Sequence, residues 1–133
     1  MEHSTLPKPL LKIVEPKAGR RYSVGVEGKQ DEGIQCIIRV EVPQGGKVPE
    51  AVIAQLLSGG LLSGSSIMNI KEKDGPNTWV LEGTLSVPAR IGNYKIRAEG
   101  IQTLIVENEK GESEVPHKIT RVQSPEIEIK VGK

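Results

Sequence analysis

Phenylalanine is missing altogether, and one Trp and two Tyr are the only aromatic residues among 133. That shortage removes the alternating aromatic and basic platform on which single-stranded nucleic acid stacks. It also leaves the burial to Ile, Val and Leu. Branched side chains of this kind pack better on a pleated sheet than on a helix. Charge of one sign is lacking too. Eighteen basic residues face 17 acidic ones, so no long-range field steers nucleic acid or an anionic membrane toward the chain. Local basic groups at Lys17, Arg20 and Arg21 and at Lys71 and Lys73 are diluted by Glu15 and Glu72. A single cysteine, Cys36, excludes an internal disulfide. It leaves the compartment open, since a chain of this size buries enough surface to fold without a staple. No apolar run approaches the ~20 residues a membrane span requires. The polar stretch Met1 to Pro9 lacks the apolar centre of a signal peptide and is expected to be a disordered leader. The protein is therefore expected to be cytoplasmic, or else a piece of a longer chain.

What is present is punctuation and alternation. Fifteen Gly and nine Pro are dispersed along the chain, as in short strands joined by turns. The clearest element runs from Ile34 to Val42, where Ile34, Cys36, Ile38, Val40 and Val42 share one face and Ile37 is the single exception. A two-residue period over that length specifies a strand buried on one side. Trp79, Leu81, Gly83, Leu85 and Val87 form a second such row after the turn Lys73 to Asn77. Shorter alternations begin at Leu10, Tyr22, Ile67, Tyr94, Val115 and Ile127, and Leu104 with Val106 carries the β signal past Ala98. Pro49 to Leu57 fits either a capped helix or a buried strand, and the strand is preferred because its confident neighbours are strands. The stretch rich in Ser and Gly from Ser58 to Ser66 reads as a loop. Seven to nine strands at this spacing describe one all-β domain, residues 10–133, built as a sandwich of two antiparallel sheets.

Two stretches carry a resemblance. Leu11-Lys12-Ile13-Val14-Glu15-Pro16-Lys17-Ala18-Gly19 followed by Tyr22-Ser23-Val24-Gly25 is the first. Thr78-Trp79, Gly83-Thr84-Leu85-Ser86-Val87-Pro88 and Gly92-Asn93-Tyr94-Lys95-Ile96-Arg97-Ala98 make up the second. Together they resemble the bacterial immunoglobulin-like modules found along surface proteins and beside secreted enzymes. The resemblance implies an immunoglobulin-like β-sandwich in which Trp79 plugs one end and Tyr94 buries its ring while its hydroxyl reaches the backbone. It departs at Glu109-Lys110-Gly111-Glu112, which is displaced by Gly100 to Ile105, and in a long closing segment, Gln123 to Lys133.

Candidate chemistry is sparse. Cys36 sits among inward-facing Ile and Val, where a thiol is inert. His3 and His117 have no neighbours at metal-ligand spacing. Calcium, which related modules sometimes bind, needs clustered oxygen donors. The two aspartates, Asp31 and Asp74, lie in different turns, and Asp31-Glu32 and Glu107-Asn108-Glu109 are the remaining donors. With Trp79 and Tyr94 in the core, Tyr22 alone is left as a sugar platform. Ser58 to Gly64 is rich in glycine but lacks the Lys-Ser/Thr of a phosphate loop. No catalytic, cofactor or metal site is expected. The expected function is a non-catalytic spacer or docking module of a secreted or cell-surface protein, contacting a neighbouring domain or protein. A free-standing adaptor or virion component pairing through edge strands is the alternative, and a carbohydrate-binding accessory domain the third reading.

Overall fold

The computed structural model describes residues 8–23, 33–46, 48–107 and 113–132, with side chains omitted for 103–107 and 113–120. Most of the expected leader, the Val24 and Val26 alternation, and the turn Asn108 to Gly111 lie outside the described residues. Of the leader only Lys8 and Pro9 are described, and Pro9 is fully buried.

Ten strands and no helix make up the described residues. They are β1 (Leu10–Glu15), β2 (Arg21–Ser23), β3 (Ile34–Glu41), β4 (Ala51–Ser58), β5 (Leu61–Ile67), β6 (Asn69–Lys73), β7 (Thr78–Leu85), β8 (Gly92–Glu107), β9 (Ser113–Gln123) and β10 (Ile127–Gly132). The first sheet has the order β1-β3-β7-β6, and the second β2-β10-β8-β4-β5 with β9 also on β8. Three expectations are corrected here. The strands number ten rather than seven to nine. The second sheet is mixed, because β2 runs parallel to β10. The segment read as a loop from Ser58 to Ser66 is mostly strand β5.

One core lies between the sheets. Ile34, Cys36, Ile38 and Val40 of β3 are fully enclosed, as are Ala54, Ile96, Ala98 and Ile129 from the opposite sheet. The alternation along β3 is therefore a real facing pattern, with Gln35 exposed and Ile37 and Arg39 half-buried on its outer side. Trp79 is only half-buried and packs against the core from its margin, with the Lys73 ammonium 5.1 Å from its ring centre. Leu81 and Leu85 carry the interior of that row. Gly83 leaves room for Met68: a Cβ there would lie 2.7 Å from the Met68 Sδ and would push aside the side chain that fills the crossing from β5 to β6.

Tyr94 buries its ring at the start of β8 and donates its hydroxyl to the Arg90 carbonyl at 2.9 Å. That bond pins the loop entering the longest strand. Tyr94→Phe keeps the ring and loses the bond, and is expected to lower unfolding stability by about 1 kcal/mol. Urea denaturation with an unchanged slope would register this as a shifted midpoint.

The junction of β9 and β10 holds a second device. Both strands lie along the same flank of β8, where Glu99 faces Gln123 but Ile96 faces Ile127. Three steps along β8 thus match four along its partner, and the extra residue is a bulge at Ser124 to Glu126. Ser124 is buried; its N–H donates to the Ala98 carbonyl and its hydroxyl accepts from the Ala98 N–H, both at 2.9 Å. The same hydroxyl donates to the Pro125 carbonyl at 2.9 Å. Pro125, having no N–H, is tolerated where the ladder is interrupted.

Candidate functional site

The side chains singled out for chemistry do not converge. Cys36 is 0% exposed, its thiol donates weakly to the Ile34 carbonyl at 3.6 Å, and burial pushes its pKa up to about 12. A thiol in that state supplies no thiolate near neutral pH. Asp74 sits in the β6–β7 turn, where its carboxylate accepts from Arg39 Nη1 at 2.9 Å. Arg39 Nε also donates to Glu41 at 3.3 Å. His3, Asp31, Glu32, Asn108 and Glu109 fall outside the described residues, as do the side chains of Glu107 and His117. Among the described residues no three His, Cys, Asp or Glu side chains gather to hold a metal. No helix among them is long and apolar enough to cross a membrane. Tyr22 is half-buried and packs against the core, with the Arg20 guanidinium over its ring at 5.4 Å.

What the fold does assemble is a surface. Strand β5 ends its sheet, and no described strand covers its outer flank. It enters from Ser58-Gly59-Gly60-Leu61, a two-residue hairpin whose glycines both take positive φ, 58° and 85°. Only such a backbone matches the twist of the flanking strands, and glycine adopts it without a Cβ clash. Leu61, Leu62 and Ile67 of β5 are 75, 60 and 69% exposed, and Ile70 of β6 is 63% exposed. Among the described residues, four of the seven exposed large apolar side chains thus fall within ten consecutive positions. From Leu57 to Met68 there is no charge and no proline. Edge strands are ordinarily blunted by either. The one blunting feature is a bulge at Ser63, between the pairs Leu56–Gly64 and Leu57–Leu62.

Polar groups flank this edge in order. Ile67 faces Ile53, which faces Glu99, which faces Gln123, so the four share the outer side of the sheet. Glu99 is buried there and accepts from Gln123 Nε2 at 3.0 Å. One row along, Gln55 accepts from Arg97 Nε at 3.0 Å and Nη2 at 2.9 Å. Arg97 and Lys95 lie 3.8 and 3.7 Å from the Glu126 carboxylate. Arg97 and Glu99 are thus held in place on the same face, two strands in from the apolar edge. Sequence reading misses this surface because Leu61 to Ile67 looks like a linker; the Gly59-Gly60 pair between two apolar runs is the signal that marks the hairpin.

No family model and no curated protein matches the chain. Among solved structures it is similar to one described as an engineered protein, with a TM-score of 0.45 and 16% identity, over 95% of this chain and 20% of that one. This chain spans about a fifth of the length of that protein.

Proposed function

We propose that the chain is a non-catalytic immunoglobulin-like docking module of a larger secreted or surface protein, and that it binds an extended, uncharged segment of a protein partner along β5. The strand order supports the sandwich type. The sequence β1-β3-β7-β6 corresponds to strands A-B-E-D, and β10-β8-β4 to G-F-C with β5 in the position of C′. The Tyr94 hydroxyl bonding back to Arg90 at the entry to β8 corresponds to the tyrosine corner of that fold.

The docking reading rests on one observation, the uncharged, apolar and unpaired flank of β5. An added strand gains main-chain hydrogen bonds from the edge and specificity from alternate side-chain contacts. The bulge at Ser63 confines regular pairing to Gly64–Ile67 and so fixes the partner's register. On the outer face Ile67 would sit beside its apolar side chains and Ser65 beside its polar ones, with Ile53 and Gln55 one strand further in.

The test is selection from a displayed library of heptapeptides on the immobilised protein. Selected peptides should be uncharged and rich in β-branched residues. The pair Leu62→Lys and Ile67→Lys, both at exposed positions, should weaken them about tenfold or more. Peptides that bind the charged variant equally well would sink the reading, and so would sedimentation showing that the flank is filled by a second copy.

A further inference from the structure

At the opposite end of the second sheet, β2, β10, the first residues of β8 and Ile91 before them line an open groove of about 440 Å³. Its floor is a row of cross-strand neighbours. Arg21 lies opposite Lys130 in the parallel pair, and Lys130 opposite Asn93 in the antiparallel one. Adjacent strands are about 4.8 Å apart, so the three side chains leave one face of the sheet side by side. Like charges placed directly opposite each other destabilise a sheet. The neighbouring Arg20 is accounted for, lying 3.9 Å from the Glu15 carboxylate and over the Tyr22 ring. Arg21 and Lys130 are exposed and have no ion pair among the described residues. The nearest described acid on that face is Glu128, two residues back along β10 and opposite Lys95. Ser23 adds a hydroxyl, and Ile91 forms an exposed apolar wall.

We propose that this groove binds a doubly charged oxyanion of the phosphate class, carried on a small organic group that rests against Ile91. A guanidinium fork, an ammonium, an amide and a hydroxyl are donors of differing reach around one volume. Phosphate oxygens accept from all of them, most strongly from the charged ones. An anion seated between Arg21 and Lys130 also removes the repulsion that the bare sheet carries. The volume exceeds that of phosphate alone and falls in the range of about 300–1,000 Å³ typical of small-molecule sites. This site is independent of the β5 flank.

The experiment is an NMR titration of the intact chain with inorganic phosphate near neutral pH, with ionic strength held constant by sodium chloride. Saturable shifts are expected at the amides of Arg21, Ser23, Asn93 and Lys130. The double variant Arg21→Gln/Lys130→Gln should weaken binding about tenfold or more. Lys12→Gln/Lys71→Gln, which removes the same charge from the first sheet, should leave it unchanged. In phosphate-free buffer of low salt the Arg21→Gln/Lys130→Gln variant should melt above the parent, and added phosphate should raise the melting point of the parent alone. Shifts that never saturate, that scatter over every surface lysine, or that survive in the Arg21→Gln/Lys130→Gln variant would overturn the proposal. An equal response to succinate would overturn the assignment to phosphate.

Discussion

Deletion of Pro125 is expected to abolish cooperative folding, because it removes the extra residue that lets β9 and β10 serve the same flank of β8 with different phase. Along β9 and Ser124 the even-numbered positions share the face of Ala98, Gly100 and Gln102. Past the bulge the odd-numbered residues Ile127, Ile129 and Val131 take over that face, opposite Ile96, Tyr94 and Gly92. A slip of one residue turns every side chain of a strand to the other side. With the bulge closed, Ile129 and Val131, now 0 and 2% exposed, would face water and Glu128 and Lys130 would face the core. Losing three apolar side chains costs about 5 kcal/mol before any charge is buried. Whole domains are stable by only about 5–15 kcal/mol. Urea titration should show no cooperative transition for the deletion. Ser124→Ala, which leaves the Ala98 N–H without its hydroxyl partner, should retain the transition and lose about 1–3 kcal/mol. A deletion variant that unfolds at the parent's midpoint would mean that the phase change is carried elsewhere.

The parent is expected to lose stability between pH 9 and pH 12, and Cys36→Ala is expected not to share that loss. Burial raises the Cys36 pKa from the ordinary 9.0 to about 12, so above pH 9 the folded protein retains a proton that the unfolded chain releases. Stability falls with pH wherever the native state binds more protons than the unfolded one. The decline therefore starts as pH rises through the unfolded value and ends at the folded value. A tenfold change in proton affinity is worth about 1.4 kcal/mol, which bounds the whole effect at about 4 kcal/mol. Near neutral pH alanine at position 36 lowers stability by leaving a small cavity, so the informative quantity is the slope. Groups that do not interact with Cys36 contribute alike to both proteins and cancel in the comparison; Tyr22, which the Cys36 charge touches, is the exception. Parallel slopes for parent and variant would mean that the thiol is not enclosed in the native state.

How far the sequence reaches depends on whether a segment's side chains or its pairing decide its conformation. Ile34 to Val42 can be read directly, since its five alternating apolar residues leave no other placement for a dry face. Leu10 to Glu15 is equally clear. Leu61 to Ile67 is opaque, because Ser63, Gly64, Ser65 and Ser66 have no intrinsic claim to a strand and are extended only because β4 lies alongside. Context of that kind routinely overrides propensity. Trp79 lies shallower than its place in an apolar row implies, since it stands at the margin of the core. The bulge at Ser124 is invisible in the sequence as well, since Ser113 to Gln123 carries no strict apolar alternation against which a change of phase could be read. Both proposed surfaces depend on register. Nothing in the linear order of residues places Arg21 beside Lys130, or Ile67 beside Ile53.

From Lys95 to Ile101, β8 is bonded on both flanks, to β4 on one side and to β9 and β10 on the other. Amide protons in that stretch can exchange with solvent only when the domain opens as a whole, whereas β2 and β5 at the two rims can come loose alone. The molecule thus has a stiff spine and soft margins. A ligand seated on either margin would slow deuterium uptake there first, and leave the spine as it was.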